Sequence, residues 1–274
     1  MKSYASILRN HKRPLRFLAG RVLVKSGLCT LLTIPQNGYR LRFYPSNLSE
    51  QLWVDRTWRE PELRLIRAYL RNGDHVIDVG ANVGDTALTA ALQVGAEGCV
   101  WAIEAHPRTY SFLKGNLALN GAKNIMALNA AAASEPGSLS FSDDRRDDMN
   151  RVGGTGIDVE ARRLDDLVPH HGPIDLLKID VEGYELQVLG GAPDILLRTR
   201  CVLFEVAESH FQQYGYNLAT VLELLATRGF TLLRPIGQTL AVRIGADFAT
   251  DRVENLVAVR DVDDFASRSG WAIA

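Results

Sequence analysis

The sequence predicts an α/β fold built on a mostly parallel sheet, and two neighbouring segments carry that prediction. An apolar run over 76–80 ends in a glycine-bearing turn, which opens a helical segment over 84–93. A second apolar run over 99–104 ends in the acidic residue Glu104. Strands that alternate with helices favour right-handed crossovers and a parallel sheet. This order of turn, helix, strand and acid is typical of folds that bind a nucleoside.

The remaining elements continue the alternation along the chain. A short strand is predicted over 38–44, and an amphipathic helix with Pro61 in its first turn is predicted over 59–71. Two of the later strands, over 138–142 and 156–160, are predicted to form a hairpin. Helices are predicted over 107–119, 184–190 and 217–228, and strands over 124–130, 138–142, 156–160, 174–180, 201–206, 230–234 and 255–260.

Length and composition favour one enzyme-sized domain. A chain of 274 residues with 46% hydrophobic residues can bury one large core. Its three cysteines, Cys29, Cys99 and Cys201, are widely spaced and contain no Cys-x-x-Cys pair. That pattern disfavours both a disulfide framework and a zinc site. A reducing, cytoplasmic compartment is therefore expected.

The glycine turn indicates which nucleoside is bound. A dinucleotide fingerprint needs a glycine where the backbone approaches the pyrophosphate, whereas this turn has the spacing Gly80-x-Asn82-x-Gly84. Asp78 adds a carboxylate just before the turn, which would repel a phosphate. A ligand with a ribose, an ammonium group and no phosphate fits better, and S-adenosylmethionine is such a ligand. Glu104 can accept from both ribose hydroxyls; the alternative is a structural turn whose amides Asp78 caps.

The chain resembles the class I S-adenosylmethionine-dependent methyltransferases and, within that class, the FkbM-type family. The matching segments are VIDVGANVGDTAL (76–88), AIEAHPRTYSFLKGNLALNG (102–121), LDDL (164–167) and IDLLKIDVEGYELQVLGGA (174–192). The resemblance extends over residues 60–235. It implies a Rossmann-like fold with a mostly parallel seven-stranded sheet, helices on both faces and an N-terminal helical extension. Residues 1–58 would form the extension, and residues 59–274 the methyltransferase domain.

A donor site is expected where the parallel strands end at their carboxyl edge. The resemblance implies that charged, glycine and small residues there contact the methyl donor. The expected cofactor-binding residues are Asp78, Gly80, Ala81, Asn82, Gly84, Glu104, Ala105, His106, Ala130, Ala131 and Asp180.

A lysine inside an apolar strand indicates a second charged cluster. Strand alternation places Lys178, Asp180 and Glu182 on one face. A buried lysine needs a partner, because an unpaired buried charge costs several kcal/mol. Asp180 is the nearest acid in the sequence, so one interpretation is a structural Lys178–Asp180 pair with Glu182 capping the next helix. The resemblance implies the other interpretation, in which Asp180 borders the methyl donor and the acceptor.

Methyl transfer to an alcohol needs a positioned nucleophile and a group that takes its proton. The candidate catalytic residues are Asp180, Glu182 and His210. His210 could equally be a surface helix residue. No metal is expected, although these carboxylates with His210 are an alternative ligand set for Mg²⁺, which prefers oxygen ligands.

The N-terminal segment has a different electrostatic character from the rest of the chain. Residues 1–49 contain nine of the 31 lysines and arginines and none of the 32 acidic residues. Over Ile7 to Ile34 the basic residues interrupt the apolar ones too often for a transmembrane span, and no signal-peptide core is present. A basic amphipathic helix is predicted, which lies on an anionic membrane, on a partner or on the domain itself.

Two further segments have open interpretations. The polar, glycine-rich run from Ser142 to Gly156 is predicted to be a loop, either solvated or a mobile cover over the substrate. One interpretation of Trp53, Arg56 and Trp58 is a stacking surface for a sugar or macrocycle. The other is that the two tryptophans are core residues under the N-terminal segment.

The resemblance implies O-methylation of a hydroxyl on a carbohydrate, glycolipid or secondary metabolite, with S-adenosyl-L-methionine as donor. Nucleic acid is disfavoured as the acceptor, because the body of the chain beyond the N-terminal segment is acidic. The alternatives are an N-methyltransferase acting on protein or RNA, and a module that binds the donor without catalysis. A cytoplasmic location is predicted, and residues 1–34 either contact the membrane peripherally or pack on the domain.

Overall fold

A computed structural model describes residues 13–142, 152 and 156–274. Within these residues the fold alternates strands and helices as the sequence predicts. In chain order the strands are β1 (Thr33–Pro35), β2 (Arg40–Arg42), β3 (His75–Val79), β4 (Cys99–Ile103), β5 (Ile125–Leu128), β6 (Ala131–Ala132), β7 (Gly137–Ser142), β8 (Gly156–Arg162), β9 (Ile174–Ile179), β10 (Thr199–Val206), β11 (Thr231–Ile236), β12 (Leu240–Ile244), β13 (Glu254–Val259) and β14 (Ala272–Ile273). The helices are α1 (Pro14–Ser26), α2 (Asn47–Val54), α3 (Glu60–Tyr69), α4 (Asp85–Val94), α5 (Pro107–Asn120), α6 (Leu164–Leu167), α7 (Glu185–Gly190), α8 (Pro193–Arg198), α9 (Glu208–Phe211), α10 (Leu218–Thr227) and α11 (Val262–Ser269).

The main sheet has nine strands in the part of the chain that the structure describes, in the order β14-β12-β11-β13-β10-β9-β3-β4-β5. Strands β5, β4, β3, β9 and β10 are mutually parallel, and β13 is antiparallel to both β10 and β11. The mostly parallel sheet is therefore confirmed, but it is wider than the seven strands expected. The two additional strands, β12 and β14, extend the edge beyond β11, and β14 is too short to leave a pattern in the sequence.

The predicted hairpin over 138–142 and 156–160 is confirmed, since β7 and β8 pair antiparallel from Gly137 opposite Ala161 to Ser142 opposite Gly156. The hairpin does not join the main sheet. It pairs through β8 with the short strand β6 and forms a separate three-stranded sheet. Because β6 lies only a few residues beyond the end of β5, this small sheet is held close to one edge of the main sheet.

The N-terminal helix is shorter than the sequence pattern predicts. The expected helix extends to Ile34, whereas α1 ends at Ser26 because Gly27 adopts a left-handed conformation with φ of 73°. A left-handed glycine is a common helix stop, since it has no Cβ to clash. The chain then forms a 3₁₀ turn over Leu28–Leu31 and enters β1. The part of the predicted helix before residue 13 lies outside the described residues.

The described part of the N-terminal segment packs into the body of the protein. Leu41, Phe43 and Leu52 are fully buried and share one hydrophobic cluster with residues of α4. The Tyr39 hydroxyl donates a 2.5 Å hydrogen bond to Oδ1 of Asp85, the first residue of α4. Residues between 29 and 52 therefore help to hold the helix that follows the glycine turn.

The outward face of α1 combines apolar and basic side chains. Leu15 and Val22 are exposed on the helix, and Leu31 is exposed just after it. Arg21 and Lys25 are exposed between them. Among the described residues, no helix is both long enough and apolar enough to cross a membrane.

Candidate active site

A cleft of about 760 Å³ opens at the carboxyl ends of β3, β4, β9 and β10. The chain passes from β3 to β4 and β5 on one side of the sheet, and later places β9 and β10 on the other side. The boundary between β3 and β9 is therefore the switch point of the sheet, which is where open α/β sheets bind ligands. Residues from both sides of this boundary line the cleft.

The glycine turn that follows β3 is held by close backbone packing. Gly80 has φ of 78°, and a Cβ placed there would lie 1.8 Å from the carbonyl oxygen of Asp180. Asn82 also adopts a positive φ, of 49°. Such a conformation is uncommon for a residue other than glycine and is best tolerated by asparagine and aspartate. The turn thus brings its backbone directly against the end of β9.

Glu104 lies at the end of β4, and the backbone fixes its carboxylate in the cleft. The Asn82 amide donates a 2.9 Å hydrogen bond to Glu104 Oε2, and the His106 amide donates a 2.9 Å hydrogen bond to Glu104 Oε1. Only 8% of Glu104 is exposed, yet the residue lines the cleft. Each carboxylate oxygen has a second lone pair, so the group can accept further hydrogen bonds from a diol.

Lys178 is buried on β9 between two carboxylates. Its Nζ lies 3.2 Å from Asp78 Oδ1 and 3.4 Å from Asp180 Oδ2, and it donates a 3.2 Å hydrogen bond to the Gly80 carbonyl. Burial alone would lower the pKa of Lys178, but the carboxylates of Asp180 and Asp78 outweigh it and raise the pKa above its usual value. The sequence predicted the Asp180 partner and missed Asp78.

Asp78, which the sequence predicts at the donor, is buried beneath the glycine turn. Asp78 is 0% exposed and is not among the residues that line the cleft. Burial raises the pKa of Asp78, and the Lys178 ammonium offsets part of that rise. The carboxylate of Asp78 points to the Lys178 ammonium, and donor contact by Asp78 stays a prediction. Lys178 in turn donates its hydrogen bond to the Gly80 carbonyl of the turn.

Arg59 adds a second cation that sequence analysis did not identify. Its Nη2 lies 2.5 Å from Glu62 Oε2 and 3.2 Å from Asp180 Oδ2. Burial alone would raise the pKa of Asp180, but Lys178 and Arg59 together lower it. Asp180 is therefore held as an ionised carboxylate. The spacing of three residues between Arg59 and Glu62 could have predicted their ion pair. The contact between Arg59 and Asp180 joins residues 121 positions apart and leaves no pattern in the sequence.

Glu182, Glu205 and His210 form a third group beside Asp180. Glu182 has φ of 55°, and its Oε2 lies 3.3 Å from His210 Nδ1. Burial raises the pKa of Glu205 to about 9, and the nearby carboxylates of Asp180 and Glu182 add to the rise. All three residues line the cleft. The structure thus brings the predicted catalytic residues Asp180, Glu182 and His210 together.

Most of the predicted donor-site residues also reach the cleft. The ones that line it are Gly80, Asn82, Glu104, Ala105, His106, Ala130, Ala131 and Asp180. Ala81 and Gly84 belong to the turn without lining the cleft. Gly84 precedes α4 with φ of 92°, and a Cβ there would lie 2.7 Å from Leu113 Cδ1. Like Asp78, these two residues belong to the packing beneath the cleft.

The two nearby tryptophans have different environments. Trp53 stacks on Phe43 with ring centroids 5.0 Å apart, so it belongs to the packing under the N-terminal segment. Trp58 lines the cleft and is 59% exposed. Val152 also lines the cleft. The other residues of the predicted cover, from 143 to 155, lie outside the described part of the chain.

Together, the parallel sheet, the glycine turn and the acidic residue after β4 define the class I S-adenosylmethionine-dependent methyltransferase fold. Comparison of the sequence with family models is more specific, because the model described as "Methyltransferase FkbM domain" matches residues 78–232. The chain belongs to the FkbM methyltransferase family.

Curated relatives share moderate identity with this chain. Methyltransferase sdnD of Sordaria araneosa is 29% identical in an alignment of 165 residues that covers 46% of this chain and 63% of that protein. Hexuronic acid methyltransferase AglP of Haloferax volcanii is 28% identical over 178 residues, which are 62% of this chain and 72% of that protein. The match thus spans less than two thirds of the Sordaria protein. Among solved structures, methyltransferase FkbM from Methylobacillus flagellatus KT aligns with a TM-score of 0.44 and 14% identity, over 90% of this chain and 59% of that one.

Proposed function

We propose that this protein is an S-adenosylmethionine-dependent O-methyltransferase that acts on a hydroxyl of a carbohydrate, glycolipid or secondary metabolite. The observation that carries the proposal is the Glu104 carboxylate, which two backbone amides orient in the cleft beside the glycine turn. A carboxylate fixed in this way suits the two hydroxyls of a ribose. Membership of the FkbM family supports the same reaction.

The charge of the cleft suits a cationic donor. Among the described residues that line it, Arg59 is the only lysine or arginine. Five of those residues are acidic, Glu62, Glu104, Asp180, Glu182 and Glu205, and burial raises the pKa of Glu205 among them above neutral pH, to about 9. Bound S-adenosylmethionine would supply a methyl group on a positively charged sulfur, which leaves as neutral S-adenosylhomocysteine. Glu104 and Asn82 would hold its nucleoside, and Asp180 would place a negative charge near the sulfonium.

The acceptor side of the cleft combines an aromatic face with groups that can take a proton. Trp58 offers an exposed ring at which a sugar can stack. His210, oriented by Glu182, is our candidate for the group that removes the hydroxyl proton. Asp180 is the weaker candidate, because its lowered pKa makes it a poor base. The hexuronic acid in the name of AglP is consistent with a carbohydrate acceptor.

Donor binding is tested by thermal unfolding with S-adenosylhomocysteine. A ligand at about 100 times its dissociation constant stabilises a folded protein by about 2.7 kcal/mol, so a clear rise in Tm is expected. Glu104→Ala should remove most of that rise, because it removes the oriented carboxylate. Glu223→Ala, which changes an exposed glutamate on α10, is the matched control and should leave the rise intact.

The same measurement can reject the donor assignment. If NAD raises the Tm and S-adenosylhomocysteine does not, the cleft binds a different nucleotide. Incubation with S-adenosylmethionine labelled in its methyl group, against a panel of glycans, lipid-linked sugars and polyketides, then tests turnover. Donor binding without transfer to any acceptor class would favour a non-catalytic binding module.

We also propose that the protein works in the cytoplasm and that the outward face of α1 contacts anionic membrane. This face exposes Leu15 and Val22 beside Arg21 and Lys25. Basic residues near an anionic surface contribute about 1 kcal/mol each. The double change Arg21→Glu and Lys25→Glu should therefore reduce sedimentation with phosphatidylserine vesicles by at least about tenfold.

The control for membrane binding changes the same charge at a different surface. Arg228→Glu with Arg243→Glu reverses two exposed arginines away from α1 and should leave sedimentation unchanged. Binding of the unmodified protein should also weaken as salt rises. Failure of the unmodified protein to sediment with these vesicles at low salt would show that α1 serves packing alone.

A further inference from the structure

Three side chains that can bind a metal ion meet beside Asp180, and they come from separate parts of the chain. Glu182 lies in the turn after β9, Glu205 lies near the end of β10, and His210 lies on α9. One ligand atom from each lies within 4.8 Å of the others. Ligand atoms on opposite sides of one divalent ion are about 4–5 Å apart, because each bond is about 2.0–2.6 Å long. The group therefore has the dimensions of a cation site.

We propose that Glu182, Glu205 and His210 bind a divalent cation, which holds the acceptor hydroxyl next to the methyl donor. The inference rests on the proposed function for the role of the cation, but binding of the cation is measurable by itself. Cation binding would make Glu205 a metal ligand and would add metal binding to the functions of Glu182 and His210. A hydroxyl bound to such a cation loses its proton more readily. His210 would then act as a ligand of the cation in place of the proton-acceptor role proposed above, and the proton would pass to Asp180 or to solvent.

The charges around the cluster favour a bound cation. Asp180 already has two cationic partners, Lys178 and Arg59. Glu205 faces the carboxylates of Asp180 and Glu182, and no hydrogen bond or ion pair of its own carboxylate is found within residues 13–142, 152 and 156–274. Grouped carboxylates repel each other strongly where water is partly excluded, and the Arg59 guanidinium offsets only part of that repulsion at Glu205. A divalent ion between Glu182 and Glu205 would relieve that repulsion.

The backbone holds the cluster together before any ligand arrives. Gly183 has φ of 100°, and a Cβ there would lie 2.8 Å from backbone atoms of His210, so the absence of a side chain lets α9 approach the turn. Glu185 Oε1 accepts hydrogen bonds of 3.0 Å from the Val181 amide and 3.4 Å from the Gly183 amide. These contacts fix the turn that carries Glu182, which itself keeps a positive φ. Preorganised ligands lose little freedom on binding.

The ligand types indicate the class of metal. Two carboxylates and one imidazole suit divalent transition ions such as Mn²⁺ and Zn²⁺ better than Mg²⁺, which prefers oxygen ligands. Three protein ligands leave coordination positions open. Because Glu182 and His210 are about one third exposed, at 35% and 30%, the open positions would face the cleft.

The test uses the full-length chain after treatment with a chelator, titrated with Mn²⁺ while the resonance of free Mn²⁺ is followed by electron paramagnetic resonance. One site per chain is expected. Glu205→Gln and His210→Ala should each weaken Mn²⁺ binding by at least about tenfold, as loss of a metal ligand or its supporting contact does. Glu223→Gln is the matched control and should bind Mn²⁺ as the unmodified chain does. Competition with Zn²⁺ and Mg²⁺ ranks the metals.

Two results would overturn the metal proposal. One is the absence of Mn²⁺ and Zn²⁺ binding, and the other is binding that Glu205→Gln and His210→Ala leave unchanged, which would place the ion at other acidic residues. S-adenosylhomocysteine binding by the same variants shows that they are folded. Donor binding without metal binding rejects this inference and leaves the methyltransferase assignment standing. Metal binding without donor binding rejects the assignment and leaves the metal site standing.

Discussion

Replacing Lys178 with methionine is expected to lower the free energy of unfolding by about 3–5 kcal/mol, because it leaves a buried carboxylate without its cation. Asp78 has no exposure to water, and Lys178 is its ion-pair partner at 3.2 Å. Asp180 keeps its contact with the Arg59 guanidinium at 3.2 Å, so its carboxylate should contribute less to the loss of stability. Denaturation with urea measures the loss, provided that the free energy of unfolding of both proteins falls with urea concentration at the same slope.

A second variant separates the loss of charge from the loss of packing. Combining Lys178→Met with Asp78→Leu removes both buried charges, and replacing a whole ion pair with apolar residues is often neutral. The double variant should therefore recover much of the lost stability. Lys123→Met, which changes an exposed lysine, serves as the control and should alter stability by less than about 0.5 kcal/mol. A cost below about 1 kcal/mol for Lys178→Met would show that Asp78 is protonated in the folded protein.

Lys178 also illustrates how far sequence reasoning reaches. A lysine within a buried strand requires an anionic partner, and that physical rule predicted a salt bridge correctly. The sequence pointed to Asp180, two residues away, because strand alternation places both on one face. The partner on the neighbouring strand, Asp78, is set by the register between β3 and β9, in which Asp78 lies directly opposite Lys178. Register between distant strands leaves no local signal.

The same limit explains the other differences at the site. Glu104 was identifiable because it ends an apolar strand at a fixed distance after the glycine turn. Arg59 was not, since it lies just before α3, ahead of the first strand of the parallel block, and reaches Asp180 only through tertiary packing. At the sheet edge, β14 has two residues and exists only because β12 pairs with it. Local patterns therefore predicted the strands and turns, while contacts between distant segments required the structure.

His210→Ala is expected to reduce methyl transfer by about 10²-fold or more at saturating donor, a typical loss when a positioned proton-transfer group is removed. Glu182 Oε2 lies 3.3 Å from Nδ1 of His210, and both side chains line the cleft. Donor affinity, measured with S-adenosylhomocysteine, should change much less than in Glu104→Ala, because Glu104 is the residue positioned for the ribose. Transfer is measured with labelled donor and the best acceptor from the panel.

The control for this loss is His171→Ala, which changes an exposed histidine that precedes β9, at the opposite end of the strand from the cleft. That variant should retain full turnover. Excess Mn²⁺ then separates two explanations of the His210→Ala defect: a weakened metal site refills by mass action and turnover recovers, whereas a missing proton acceptor stays missing. Turnover by His210→Ala equal to that of the unmodified chain would exclude both roles and move proton removal to Asp180 or to solvent.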